Sequence, residues 1–242
     1  MKILLSLILF LGQTNVPTFS EVENKVKAVT SYSQLIELIQ NEIAYPDIEG
    51  NKISFTIIRE IGNDFQQIRL SFITEENGEY FHISLVKSED KLAYCEINQG
   101  EKKSKLIINK FEIKRYLEFF NKQFKTSKSE EDFKKEIDSI WIFSNACGFS
   151  GEPTKEWKQI ENYIKKGELY KIRQFLYSLD VEAQAYGIIG MIELQKKNVK
   201  ITDKDIQVIN YLKNRNSNVY TCMGCIYGDI IGIKELVKYF AN

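Results

Sequence analysis

Apolar residues change their period twice along the chain. Over 30–47, TSYSQLIELIQNEIAYPD, the spacing of Leu35, Ile36, Leu38, Ile39 and Ile43 predicts an amphipathic helix. Ser31 and Gln34 stand at capping-box spacing, and Pro46 lies just past the end. The period then becomes two. Ile53, Phe55 and Ile57 alternate with polar residues; so do Ile68, Leu70 and Phe72, then Phe81, Ile83 and Leu85, then Ala93, Cys95 and Ile97, then Leu106 and Ile108. Short turn-rich breaks (IGND, EENGE, SEDK, NQGEKK) separate these runs, which predicts an antiparallel meander of about five strands with one face buried.

Helical spacing returns at 110–124, where Ile113, Tyr116, Leu117 and Phe120 fall in step. A polar stretch (125–132), a short helix and the apolar SIWIF (139–143) follow. NACGFSGEP at 145–153, with two glycines and a proline, reads as a domain boundary. Beyond it every periodic signal is helical: Trp157, Ile160 and Ile164; Leu169, Ile172 and Leu176; a long run after Asp180; Ile206, Ile209 and Leu212 behind a Thr202–Asp205 box; and two short helices at about 218–226 and 232–240. The fold class expected is α+β. Residues 1–20 hold a signal peptide and the polar start of the mature chain, 21–146 an α+β domain with helices flanking the meander, and 147–242 an all-α domain.

The run after Asp180, VEAQAYGIIGMIELQKK, is apolar around much of its circumference, and Ala183, Gly187 and Gly190 let a second helix approach closely. The stretch LDVEAQAYGIIGMIEL resembles a helix of the HEAT and armadillo repeats, in which small residues sit at the contact between paired helices. The resemblance implies packed helix pairs over about 155–240. No clean repeat period accompanies it, which favours a small compact helical domain over a solenoid.

Composition narrows the functional classes. Lys plus Arg and Asp plus Glu each number 33, so the chain lacks the electrostatic footprint of a nucleic-acid binder or a polybasic membrane anchor. MKILLSLILFLGQTNVPTFS opens on Lys2, runs apolar from Ile3 to Leu11 and turns small and polar from Gly12 to Ser20. That run is about half the length a bilayer span requires. It predicts a secretory signal peptide cut after Gly12 or a few residues later, with no stable membrane insertion afterwards. The mature protein is expected to be exported, periplasmic or extracellular, where cysteines oxidise.

The chemistry-bearing residues are few. Cys222 and Cys225 form a CxxC, but the residues before it read as helix rather than as the strand a thioredoxin-type motif requires. None of the three prolines has a plausible place as the cis-proline that would face it. Zinc needs four ligands, and beyond this pair only Cys147, Cys95 and the single histidine, His82, are on offer. A Cys222–Cys225 bond would distort a helical turn, whereas Cys147 faces no such obstacle. Chain entropy favours the long bridge as well, at roughly 4.5 kcal/mol against roughly 1.9 for the four-residue loop. Cys147, Cys222 and Cys225 are therefore structural disulfide candidates, with one of the CxxC pair left over. His82 reads as a solvent-facing strand residue, and nucleotide, metalloprotease and serine-hydrolase motifs do not occur. No catalytic, cofactor-binding or metal-binding residue is expected. The function expected is a non-enzymatic exported protein that binds another protein or a cell-envelope component. The alternatives are an envelope thiol–disulfide oxidoreductase using Cys222 and Cys225, or an inhibitor or immunity-type protein.

Overall fold

The computed structural model describes residues 16–76, 78–140 and 142–241; the signal peptide expected at the N-terminus lies outside the described residues. The architecture is α+β. Helix α1 (Phe19–Ala28) opens on a capping box between Thr18 and Glu21 and buries Val22 and Val26. Helix α2 (Tyr32–Leu38), capped by Ser31, runs on into a single π-turn at Ile39–Ile43. Five strands follow in meander order: β1 (Phe55–Gly62), β2 (Phe65–Phe72), β3 (Phe81–Ser88), β4 (Lys91–Gln99) and β5 (Lys102–Ile107). Asn63 and Asp64, both at positive φ, make the tight turn between the first two, as the sequence break IGND requires.

One face of this sheet packs against α1 and α2. Ile68, Leu70, Phe72, Phe81, Ile83, Leu85, Cys95 and Ile97 share a core there with Val22, Val26, Leu35 and Ile39. The first strand departs from the expectation that all the alternating sets share one face. Phe55 lies opposite Ser71, and Ile57 opposite Arg69, so the apolar set of β1 points to the other side of the sheet. That second face is also buried, whereas the alternation of polar residues along β2 and β3 predicts one solvated face.

The second face is covered by the rest of the chain. Helices α3 (Lys110–Phe124) and α4 (Glu130–Glu136) precede a short strand β6 (Phe143–Cys147). Then come α5 (Lys155–Lys166), α6 (Leu169–Leu176), α7 (Val181–Lys196), α8 (Asp203–Asn214), β7 (Asn218–Gly224), β8 (Ile226–Gly232) and α9 (Ile233–Ala241). A single apolar core runs from Ile61 and Phe65 on the sheet, through Phe120 and Phe143, to Ile172, Tyr186 and Leu236, on both sides of residues 145–153. The expectation of a helix over 218–226 is corrected. This segment is a strand and the turn of a hairpin, and β6, β7 and β8 form a second sheet in that order, the first pair parallel and the second antiparallel.

Helix α7 is buried almost all round and is the centre of the helical part. The small residues do what their spacing suggests: a Cβ added at Gly187 would stand 2.5 Å from the Leu176 Cα and 2.8 Å from the Phe175 carbonyl carbon, both backbone atoms of the neighbouring α6. Helices α6 and α8 are clamped together by Asp205. It accepts hydrogen bonds from Arg173 Nε and Nη2 (3.0 and 2.7 Å), Tyr177 Oη (3.0 Å) and Thr202 Oγ1 (2.7 Å). Burial alone would raise the Asp205 carboxyl, but these bonds outweigh it and hold the pKa at about 2.

Two outcomes follow from these contacts. Gly187→Ala should lower stability by about 1–3 kcal/mol in urea unfolding, because the backbones must move apart; a loss within a few tenths would mean that α6 does not rest on this glycine. The depressed carboxyl of Asp205 contributes stability that is present above its unfolded pKa, near 4, and lost as pH falls through about 2. Asp205→Asn should therefore cost on the order of 2 kcal/mol at neutral pH, and its deficit relative to the parent should shrink across that acid window. An unchanged deficit at all pH values would rule out the ion pair as its origin.

Candidate functional site

Between the polar part of the second sheet face and the start of α7 lies a buried array of charge. Asp180 caps the helix, accepting from the N–H groups of Ala183 (2.8 Å) and Ile140 (3.0 Å). Two residues on, within the first turn, Glu182 Oε1 accepts from Arg59 Nη1 (2.6 Å), Arg69 Nη1 (3.2 Å) and the Tyr220 backbone N–H (3.2 Å). The side chains of Arg59, Arg69 and Glu182 are all 0% exposed. Arg69 turns its other edge to Asp138, with Nε at 2.7 Å and Nη2 also in contact, and Nη2 donates to the Ile140 carbonyl. Gln67, beside Arg69 on the same strand and face, donates to the Ile137 carbonyl at 2.7 Å. Arg215 extends the array by donating to Gln184 Oε1 (2.6 Å) and the Ile61 carbonyl (3.3 Å).

The electrostatics follow from burial and proximity. Burial and the neighbouring Glu182 push the Asp180 carboxyl up to about 8. Burial works against the charge on Arg69 too, but Glu182, Asp138 and Asp180 around it outweigh that and raise its pKa. Arg59, buried beside Arg69, is pushed down. These charges face one another and the backbone rather than solvent. Their arrangement locks strands to helix and offers no accessible acid or base.

The cysteines singled out by the sequence come together at the end of the second sheet. Cys147 and Cys222 form a disulfide with Cα atoms 5.3 Å apart, and Cys225 is an exposed free thiol in the two-residue turn between β7 and β8. Gly224, at φ +59°, supplies the left-handed residue with which such a hairpin loop starts. The outer edge of β8 is apolar: Ile226 and Tyr227 are each 64% exposed, and Ile230 is exposed as well. Edge-on ring contacts of Tyr227 with Tyr220 (6.0 Å) and of Tyr220 with Phe55 (5.1 Å) join this surface to β1. Among the described residues no further strand pairs with β8.

The remaining sequence candidates lie in the large sheet, away from the cystine. His82 is half-buried rather than solvent-facing, its Nδ1 hydrogen-bonded to Ser71 Oγ at 2.7 Å across the strands, and burial lowers its pKa. Cys95 is fully buried, and burial together with Glu96 pushes its thiol up to about 12, which makes it unreactive. Among the described residues no group of three or more His, Cys, Asp or Glu side chains is placed to hold a metal ion. No helix among them is long and apolar enough to cross a membrane. Comparison with protein-family models, with curated proteins and with solved structures finds no match.

Sequence reasoning missed the charged array because Arg59, Gln67, Arg69 and Glu182 each occupy positions that read as solvated. Removing the shared carboxylate should be costly, since it leaves the Arg59 guanidinium buried without a counterion and Arg69 with Asp138 alone as its direct ion-pair partner. Glu182→Gln is expected to lower unfolding free energy by about 3–5 kcal/mol, measured by urea denaturation at neutral pH. A loss below about 1 kcal/mol would show that the array behaves as a surface pair and does not hold the sheet to α7.

Proposed function

We propose that this is an exported, non-enzymatic protein that binds another protein through the open edge of its second sheet. The observation that carries the reading is the β8 edge, with Tyr227 and Ile230 exposed on one face and Ile226 on the other, along a strand that lacks an outer partner among the described residues. An edge of this kind presents unpaired N–H and C=O groups to an extended segment of a partner, while apolar side chains supply contact area. Export is supported by the cystine, which persists in oxidising compartments, together with the short apolar run behind Lys2. The thiol–disulfide oxidoreductase reading has less support, because Cys222 is bonded to Cys147 and not to Cys225. An inhibitor or immunity-type role would be a special case of the same edge binding, with a toxin or hydrolase as the partner.

The experiment is a quantitative cross-linking capture from the envelope fraction with the parent protein and an Ile226→Lys/Ile230→Lys variant. Both positions are exposed, so the variant should keep its thermal midpoint. Captured partner should fall at least tenfold, which corresponds to about 1.4 kcal/mol of binding free energy. Capture that is equal for parent and variant would remove β8 as the binding edge, and a parent that captures nothing above a control protein would remove the reading itself.

A further inference from the structure

We propose that Asp180 holds a proton in the folded protein at neutral pH and releases it in mildly alkaline solution, so that the docking of α7 on the large sheet loosens as pH rises. The geometry behind this is an imbalance of buried charge. Asp138, Asp180 and Glu182 gather around the Arg69 guanidinium, with Asp180 and Glu182 0% exposed and the Asp138 side chain 4%. Arg59 is bonded to Glu182, and Arg69 divides itself between Glu182 and Asp138. Arg215, the other buried arginine, turns to Gln184 and the Ile61 carbonyl instead. Among the described residues no lysine or arginine stands within ion-pair distance of Asp180, whose oxygens accept from the N–H groups of Ala183 and Ile140. Two guanidinium groups thus face three carboxyl groups, and a buried carboxyl without a counterion takes a proton instead.

Burial and the charge on Glu182 work against an ionised Asp180 and outweigh the pull of Arg69 and of the two N–H groups, which places the carboxyl at about 8. Other charged groups lie farther out. Glu136 of α4, paired with Lys128, accepts from the Leu179 N–H just before the cap. Lys155 and Glu156 of α5, opposite in sign, line the cleft that Ile140 and Ala183 also line. The Tyr186 hydroxyl, farther along α7, is engaged by Thr154 and the Ser144 N–H. An ionised Asp180 competes with Glu182 for Arg69, the residue through which β2 holds α7. The folded carboxyl keeps its proton up to about pH 8, whereas an unfolded one loses it at about 4. The contribution of this group to stability is therefore fully present below about pH 4 and is lost as pH rises towards 8. Asp205 acts in the opposite sense and at lower pH, so the two windows do not overlap.

The test compares the unfolding equilibrium in urea of the full chain and of Asp180→Asn between about pH 5 and pH 9. Asparagine still caps α7 and cannot ionise. His82 and Cys95 titrate in both proteins and cancel in the comparison. The folding constant of the parent is expected to fall relative to that of the variant, by up to about tenfold per pH unit until about pH 8, and to run parallel above it. A gap that stays constant over the range, or one that moves in favour of the parent, overturns the proposal. If the variant does not fold, the infrared spectrum of the parent decides. The carbonyl stretch of a protonated carboxyl group is expected in the folded protein at about pH 6.5 and is expected to be gone by about pH 9.5. A spectrum that lacks the band at the lower pH, or keeps it undiminished at the higher, overturns the proposal as well.

Discussion

The Glu182 carboxylate is the point on which the remaining packing depends. It lies in the first turn of α7, where free N–H groups and the helix dipole favour negative charge. It receives hydrogen bonds from β1, β2 and β7 at once, through Arg59, Arg69 and the Tyr220 N–H. A helix that is apolar on every side has no preferred rotation about its axis, because each face buries equally well. Helix α7 is close to such a helix beyond its first turn, and Glu182 with Gln184 adds direction to that set by Gly187 against α6 and Tyr186 against β6. The ion pairs are therefore better understood as specifying one docking of sheet and helix than as adding net stability, since buried charges lose in desolvation much of what they gain in attraction.

This arrangement explains why the meander could be read from the sequence and the array could not. Alternation at Ile68, Leu70, Phe72, Phe81, Ile83 and Leu85 states which side chains share a face, and they do share one. It says nothing about what covers the opposite face, and Gln67, Arg69, Ser71 and Ser84 look the same whether water or protein lies over them. One signal was nevertheless present. The chain draws its positive charge mostly from lysine and has only five arginines. All five hold fixed contacts: Arg59 with Glu182, Arg69 with Asp138, Arg115 with Asp64 and Glu112, Arg173 with Asp205, and Arg215 with Gln184. The planar guanidinium suits such sites in a way a flexible ammonium does not. An arginine in a lysine-rich chain is thus a reasonable marker for a buried polar contact.

The hairpin shows the opposite failure, a periodicity that was present and misleading. Val219, Cys222, Met223 and Ile226 fit a helical face, yet in the hairpin Val219 and Cys222 point to opposite faces of β7, and Ile226 lies across the turn, opposite Met223. Composition argued the other way. Val219, Tyr220 and Thr221 favour extended backbone, and a helix over 218–226 would have carried Gly224. Helix α1 was missed for a simpler reason: apart from Phe19, only Val22 and Val26 mark its apolar face among charged neighbours, and the capping box at Thr18 was its clearest signal.

What the structure leaves unassigned after these tasks is a guide to where function lies. The charged residues of the array are buried and turned inward, His82 bonds its neighbouring strand, Cys95 is sealed and Cys147 is bonded to Cys222. The β8 edge is different, because exposed edges invite unwanted pairing and are ordinarily protected by lysines, prolines or inward charges. Between Ile226 and Gly232 the only charge is Asp229, and its carboxylate accepts from the next backbone N–H, that of Ile230. An apolar edge left this lightly protected is costly to a chain unless something uses it, and this favours pairing with a partner strand over chemistry at any of the buried groups.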